Sequence, residues 1–173
     1  MVAFLTSANG GSWNANTEIH TVPQLDPKYS DIKPHLDSLK NYDFAFVYFT
    51  GHGYSDSNDN AKINLNATET PFVHELAQLC EKQITIIDAC RGYSQYFNAD
   101  GLGGGVPLFT FDNNNKIEAR NIFDAYLSNC ANGQVLLQAA SVGQNATDTN
   151  NGGFFSTNVL RSSQDLVKSN NKA

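Results

Sequence analysis

The chain places a histidine and a cysteine just beyond two apolar segments. His52 lies between two glycines after residues 44–50, and Cys90 follows residues 84–87 by three positions. Apolar runs rich in β-branched and aromatic residues, without polar alternation, are typical of buried strands in parallel sheets. Ligands of open α/β sheets bind where such strands end. The two residues therefore predict a thiol–imidazole pair at one crevice, which is the machinery of a cysteine hydrolase.

Amide hydrolysis also needs hydrogen-bond donors for the developing oxyanion. Gly53 follows the histidine and can present its backbone N–H without obstruction by a side chain, and the N–H of Cys90 is the natural second donor. The simpler interpretation is a buried structural thiol at Cys90 and a hydrogen-bonded core residue at His52. Their position at the ends of two predicted strands favours catalysis.

The elements that must position this pair alternate between strand and helix. Such alternation predicts an α/β sandwich with a mostly parallel sheet. The first two predicted strands are separated by about nine residues, too few for a helical crossover, so they form a hairpin or one of them lies outside the sheet. The predicted strands are 2–8, 18–25, 44–52, 84–90 and 134–140, the predicted helices are 31–39, 70–80, 117–127 and 154–167, and a surface hairpin or loop is predicted over 54–70.

Composition limits the partners and the compartment. The length of 173 residues predicts one domain. The net charge of −6 and the lack of a dense run of Lys or Arg argue against nucleic acid and membrane surfaces as partners. No apolar stretch is long enough to span a membrane, and the N-terminus lacks the features of a signal peptide. Because three cysteines without C-x-x-C spacing favour a reducing compartment, we expect a cytoplasmic protein.

Three parts of the chain resemble caspase-like cysteine peptidases. Residues 48–53, YFTGHG, resemble the family's SGHG segment, and residues 88–92, DACRG, resemble the pentapeptide around the caspase nucleophile. The family's histidine lies about 50 residues before the cysteine, and the spacing here is 38. Residues 135–144 and 152–156 resemble the strand and the following helix of the small subunit. The resemblance implies the three-layer α/β/α sandwich of this family.

Asp88 distinguishes the branches of the family. It lies two residues before the cysteine, where caspases carry Gln and where metacaspases and paracaspases carry Asp. Resemblance to this branch, as a bacterial-type caspase homologue, implies a first specificity pocket (S1) for Arg or Lys, with Asp148 as a further pocket acid. Two carboxylates attract a cation and reject an aspartate. The alternative roles are capping of local N–H groups for Asp88 and an ordinary loop acid for Asp148.

The chain is therefore predicted to be a cysteine endopeptidase that cleaves protein or peptide substrates after Arg or Lys. The resemblance spans residues 40–162 and implies a single caspase-like domain over 1–173. Its predicted parts are a large-subunit-like region 1–92, a linker 93–121 and a small-subunit-like region 122–173. Family members are often cut in this linker. Because Lys116 and Arg120 match the predicted specificity, we predict autocleavage at one of them.

The predicted chemistry requires no cofactor and no metal. Some metacaspases need calcium, and the Asp/Asn-rich segments 56–60 and 112–115 could bind it, but they lack EF-hand spacing and are typical of solvated turns. A monomer is expected, because the strand that mediates dimerisation in animal caspases would lie beyond the C-terminus or is missing. Two alternatives stay open for the function: a non-catalytic caspase-like scaffold or regulatory module, and cleavage after Asp.

Overall fold

The computed structural model describes residues 1–22, 25–93, 109–149 and 152–170, so the part of the predicted linker over 94–108 lies outside the described residues. The helices are α1 (Val2–Leu5), α2 (Tyr29–Ser38), α3 (Lys116–Asn129) and α4 (Phe154–Asn170). The strands are β1 (Ala45–Thr50), β2 (Gly53–Ser55), β3 (Ala61–Ile63), β4 (Lys82–Asp88), β5 (Gly133–Gln138), β6 (Asp148–Thr149) and β7 (Gly152–Gly153). Short 3-10 helices cover Ala8–Gly10, Leu39–Asn41 and Val73–Glu75.

The described residues form two compact units. The sheet unit comprises the described residues of 22–93 and 131–155, and the terminal unit comprises 1–21, 109–130 and 156–170. The α/β class is confirmed, because strands β1, β4 and β5 form a parallel sheet, with α2 before β1, α3 between β4 and β5, and α4 after β5 along the chain. The predicted helices 117–127 and 154–167 are confirmed as α3 and α4. No helix in the described ranges is long and apolar enough to cross a membrane.

The central sheet explains the two apolar segments of the sequence. Its strand order is β1-β4-β5, and the register runs from Ala45 opposite Gln83 to Thr50 opposite Asp88. Strand β4 lies between the other two strands and buries five of its seven residues. Ile86 and Ile87 point to opposite faces of this strand and are both buried, and the polar residues Gln83 and Thr85 are buried as well. Among the described residues β5 is paired on one side only, and most of its side chains are exposed.

The core of the sheet unit lies where α2 packs against the sheet. Tyr29, Ile32 and Leu36 share one face of α2 and pack against the core together with Val47 and Phe49 of β1. Their spacing is the i, i+3, i+7 pattern of an amphipathic helix. The buried core residues are Ile63, Leu65, Val73, Leu76, Ile87 and Ala89.

Helix α2 begins at Tyr29, two residues before the predicted start. The carboxylate of Asp31 accepts the backbone N–H of Lys28 at 3.2 Å, which satisfies one of the donors that the start of a helix leaves without a partner. Pro34 lies in the second turn of this helix. The predicted hairpin or loop over 54–70 contains the β2–β3 hairpin apart from its first residue, Gly53.

Two predicted N-terminal strands are wrong. Residues 2–8 form α1 and part of the following 3-10 helix, and the ring of Phe4 packs against Phe111 with 5.5 Å between centroids. A short apolar run does not distinguish a strand from a helix, so this tertiary contact decides. The described residues of 18–25 contain no strand, because Glu18 closes a turn: its N–H donates to the C=O of Asn14 at 2.9 Å, and its carboxylate accepts the N–H of Asn14 at 2.6 Å.

The predicted helix over 70–80 is also wrong. Only Val73–Glu75 is helical, as a single 3-10 turn. Gln78 has a φ of 62°, which an α-helix does not allow. The side-chain carbonyl of Gln83 accepts the N–H of Leu79 at 2.8 Å, a donor that a continuing helix would have bonded within itself. A buried side chain from the next strand therefore takes the place of the helical hydrogen bonds.

In the terminal unit, charged and aromatic side chains gather around Arg120 on α3. Its Nη atoms donate to both carboxylate oxygens of Glu18 at 2.8 Å, and its Nε donates to Asp124 at 2.8 Å. The guanidinium lies 4.6 Å from the ring centroid of Trp13, which contacts Phe123 edge-to-face with centroids 5.4 Å apart. We call these five residues the Arg120 cluster. It attaches the N-terminal segment to α3.

Candidate active site

Strands β1 and β4 end opposite each other in the sheet. Thr50 is the register partner of Asp88, and the N–H of Gly51 donates to the C=O of Asp88 at 3.2 Å. His52 and Cys90 each follow this last register pair by two residues. Since adjacent parallel strands lie about 4.8 Å apart, the in-register ends place the histidine and the cysteine beside each other at the carboxyl edge of the sheet.

The segment after the histidine packs directly on the backbone of the cysteine. A Cβ atom placed on Gly53 would lie 3.0 Å from the carbonyl oxygen of Cys90 and 3.0 Å from Cβ of Ala89. The carbonyl oxygen of Lys62 would lie nearer still, at 2.7 Å, which is closer than real Cβ atoms come to other atoms, so this position needs a glycine. The structure thus brings His52, Gly53 and Cys90 to one place.

The surroundings of the thiol separate Cys90 from the other two cysteines. Cys90 is partly exposed beside an exposed His52, whereas Cys80 is buried and Cys130 is exposed after the end of α3. The Cys90 thiol donates to the carbonyl oxygen of Ala146 at 3.7 Å. The Cys80 thiol donates to the carbonyl of Lys82 at 2.9 Å within the core. Only Cys90 combines access with a histidine at a neighbouring strand end.

The backbone N–H of Gly53 points away from its own hairpin. Gly53 is paired with Ile63, and the ladder bond next to this pair runs from the N–H of Asn64 to the C=O of His52 at 2.9 Å. In an antiparallel ladder this arrangement makes Gly53 and Ile63 a non-hydrogen-bonded pair, whose own N–H groups point outward. The N–H of Gly53 therefore takes no part in the β2–β3 ladder.

Asp88 ends β4 as a buried carboxylate, only 4% exposed. Its side chain lies against the backbone of Gly153: a Cβ atom on Gly153 would lie 2.6 Å from Cγ of Asp88. Gly153 on β7 is in turn the register partner of Asp148 on β6. The Asp88 carboxylate therefore lies beside the short hairpin that carries the second predicted pocket acid.

The chain after Cys90 is held from two sides, which sequence reasoning did not indicate. The C=O of Gly92 accepts the N–H of Ser55 at 2.9 Å, and the N–H of Arg91 donates to the C=O of Gln144 at 2.8 Å. The C=O of Arg91 accepts the N–H of Gly143 at 2.9 Å. These bonds fix the segment between the β2–β3 hairpin and the turn after β5.

Asp59, in the turn of the β2–β3 hairpin, adds side-chain contacts to the same segment. Its C=O accepts from the guanidinium of Arg91 at 2.9 Å, and its carboxylate accepts from the hydroxyl of Tyr93 at 2.8 Å. The hydrogen bond to this carboxylate raises the pKa of Tyr93. Asp59 has a φ of 65°, a conformation that Asp tolerates in turns. The Asp/Asn composition of the turn was the only sequence signal for this contact.

The predicted cleavage residues lie in a helix and not in a loop. The linker was predicted to extend to residue 121, but helix α3 already begins at Lys116. Lys116 is the exposed first residue of α3, and Asn115 before it has a φ of 55°. Arg120 lies one turn later and is held in the Arg120 cluster. Lys116 is therefore the more accessible of the two positions, because it is exposed at the start of the helix, whereas Arg120 is partly buried.

The two Asp/Asn-rich segments use their carboxylates within their own turns. Oδ1 of Asp56 accepts the backbone N–H groups of Asn58 at 2.8 Å and Asn60 at 3.0 Å. Oδ1 of Asp112 accepts the N–H of Asn114 at 2.8 Å. These are Asx turns, as expected for solvated loops. Within the described ranges, no group of three His, Cys, Asp or Glu side chains is arranged to hold a metal ion.

Comparison with known proteins identifies the family of the chain. The model of the C14 peptidase family, described as the caspase domain, matches residues 14–170. Among curated proteins no match to the chain is found. The family match covers both strand ends, the hairpin β6–β7 and helix α3.

Proposed function

Because the chain belongs to the caspase-domain family of cysteine peptidases, we propose that it cleaves peptide bonds after Arg or Lys, with Cys90 as nucleophile and His52 as general base and acid. The observation that carries this proposal is the register of β1 and β4. Thr50 opposite Asp88 puts the histidine, the cysteine and a buried carboxylate at one strand edge. A thiol beside an imidazole is suited to acyl transfer.

The first half of the reaction forms a thioester. The S–H of Cys90 rotates away from the carbonyl oxygen of Ala146 and gives its proton to His52. The resulting thiolate has no proton to donate to that carbonyl. The sulfur attacks the carbonyl carbon of the substrate, and the oxyanion is stabilised by the N–H groups of Gly53 and Cys90. The imidazolium then donates its proton to the leaving amine as the C–N bond breaks.

The second half restores the thiol. His52 accepts a proton from a water molecule, whose oxygen attacks the thioester carbon. The C–S bond breaks, the product carboxylic acid leaves and loses its proton to solvent or to the released amine, and the sulfur of Cys90 regains a proton from the imidazolium. Atoms and charges balance over the cycle without a metal or a cofactor, so we propose hydrolysis that is independent of calcium.

Specificity for a basic residue is assigned to Asp88, with Asp148 as a second acid. A close pair of opposite charges is worth about 4 kcal/mol at an effective dielectric constant of about 20, before desolvation. Part of this energy is enough to favour Arg or Lys over a neutral or acidic residue by a large factor. Support comes from the hairpin contact: Gly153, the register partner of Asp148, lies against the Asp88 carboxylate.

The experiment is a panel of fluorogenic peptides that differ only at the cleaved position: Arg, Lys, Gln or Asp. The full chain is assayed with calcium and with a calcium chelator. We expect hydrolysis of the Arg and Lys peptides in both conditions and none of the Asp peptide. Hydrolysis after Asp alone would refute the specificity, and activity only with calcium would refute the independence from metal.

Covalent labelling distinguishes an enzyme from a caspase-like scaffold. An Arg-containing peptidyl chloromethylketone is expected to alkylate Cys90 and to leave Cys130 unmodified, although Cys130 is the more exposed thiol. Peptide mapping by mass spectrometry identifies the alkylated residue. A chain that hydrolyses no peptide of the panel and is alkylated equally at both thiols, or at neither, is a scaffold and not a peptidase.

A further inference from the structure

Gly153 faces the Asp88 carboxylate with no space for a side chain. A Cβ atom on Gly153 would overlap Oδ2 of Asp88 and would lie 2.6 Å from Cγ and 2.9 Å from Oδ1. By contrast, a Cβ atom on Gly133, at the start of β5, would meet no atom within 4 Å. Gly153 is thus required by its surroundings, and its three nearest neighbours are all atoms of one carboxylate.

The Asp88 carboxylate cannot make room for a side chain at Gly153 by moving into solvent. Asp88 is 4% exposed and its backbone belongs to the central strand, paired with Thr50 on one side. A methyl group on Gly153 would therefore shift the carboxylate within the protein interior or displace β7. Because Gly153 is paired with Asp148, the second response would also move the backbone that carries the other proposed pocket acid.

We propose that Gly153 is a specificity-determining position of the S1 pocket: the missing side chain leaves the space in which the Asp88 carboxylate lies beside the β6–β7 hairpin. This inference rests on the proposed function, in which Asp88 binds the basic side chain of the substrate. Gly153 acts through Asp88 and touches neither sulfur nor imidazole, so it is a positioning residue.

The kinetic test compares Gly153→Ala with the matched variant Gly133→Ala. We expect Gly153→Ala to lower kcat/KM for the Arg peptide at least tenfold, mainly by raising KM, and Gly133→Ala to leave it within twofold of the unchanged chain. Alkylation of Cys90 by iodoacetamide, which has no group for a specificity pocket, should keep its rate in both variants. A kcat/KM of Gly153→Ala within twofold of the unchanged chain overturns the inference.

A stability cycle tests the contact without any substrate. Gly153→Ala is expected to lower Tm in the native background and to have a smaller effect in an Asp88→Ala background, where the carboxylate is gone. In an Asp88→Asn background, which keeps the volume and removes the charge, the loss should match that in the native background. Equal losses in all three backgrounds refute the contact.

Failure of the proposed function and failure of the role of Gly153 give different experimental results. A native chain that cleaves no Arg peptide refutes the proposed function and with it the role in specificity, whatever the stability cycle gives. An active chain in which Gly153→Ala is neutral refutes only the role of Gly153. The peptidase assay and the Tm values therefore assign a failure to one proposal or the other.

Discussion

The candidate active site and the Arg120 cluster are built on different principles. At the site, His52 and Cys90 come together because two adjacent strands run in register, Thr50 opposite Asp88. In the cluster, Arg120 reaches Glu18, 102 positions away in sequence, through side-chain contacts alone. In a parallel sheet, residues at the same distance from the ends of two neighbouring in-register strands lie close together. The partners of a helix side chain such as Arg120, by contrast, depend on which segments of the chain pack against the helix.

The difference extends to energetics. The partners of Arg120 are solvent-accessible carboxylates, with exposed fractions of 30% for Glu18 and 50% for Asp124. Ion pairs of this kind contribute little to stability, typically 0–1 kcal/mol each. The site instead buries the carboxylate of Asp88. Burial of a carboxylate costs free energy unless the group is hydrogen-bonded or paired, so the two regions place their acids in different environments.

The largest expected effect is at the nucleophile. Cys90→Ala should lower kcat/KM for the Arg peptide by roughly 10³-fold or more, because loss of a catalytic nucleophile removes the covalent pathway. Cys130→Ala is the matched control, since it removes an exposed thiol outside the site, and it should keep full activity. Steady-state kinetics on the panel measure both. Residual activity of Cys90→Ala above a tenth of the native value would show that the strand ends do not form the site.

The second effect concerns the buried carboxylate. Asp88→Asn should lower kcat/KM for the Arg and Lys peptides on the order of 10²-fold, or about 2.7 kcal/mol, which is less than the full energy of a close charge pair. The Gln peptide should be cleaved at its native rate. If all three peptides lose activity equally, Asp88 supports the structure of the site and does not select the substrate.

The third effect separates the two positions on α3. Autocleavage is expected after Lys116, at the exposed start of the helix, and not after Arg120, which is held by the Arg120 cluster. Mass spectrometry of purified Lys116→Gln should show loss of the fragments, and Arg120→Gln should retain them. Fragmentation of Cys90→Ala to the same extent as the native chain would exclude autocleavage.

The smallest effect is the pH dependence of the Arg120 cluster. The hydrogen bonds from Arg120 lower the pKa of Glu18 below its ordinary value of 4.5. A carboxylate with a lower pKa in the folded state contributes stability above pH 4.5, and this stability is lost as the pH falls through the folded pKa. Glu18→Gln should therefore cost about 0.5–1 kcal/mol at pH 7 and almost nothing near pH 2, as measured by urea unfolding.

A matched pair on α2 provides the control for this measurement. Lys33 and Asp37 form an i, i+4 ion pair whose side chains are more than half exposed, whereas Arg120 and Glu18 are less than one-third exposed. Asp37→Asn should cost less than Glu18→Gln at pH 7, because water screens the more exposed pair more strongly. Equal costs for the two substitutions would show that the Arg120 cluster is an ordinary surface ion pair.

Three of the apolar patterns predicted their elements correctly. Segments 44–50 and 84–87 became β1 and β4, and the helical spacing of 117–127 became α3. The short run at 2–8 was assigned to the wrong element, because its four apolar residues form a helical turn whose Phe4 contacts Phe111. The pattern at 70–80 failed for a similar reason, since the side chain of Gln83 takes over a helical hydrogen bond.

The sequence by itself determined the chemistry that is available: a thiol, an imidazole and an acid, each at or just beyond the end of an apolar run. It also predicted that they share one edge of the sheet, because ligands of open α/β sheets bind where parallel strands end, whereas the register that sets Thr50 opposite Asp88 is seen only in the structure. Only the tertiary structure decided that Gly153 lies against the Asp88 carboxylate and that Asp59 holds Arg91 and Tyr93. Such contacts join turns and strand ends that are distant in the chain, and no local periodicity encodes them.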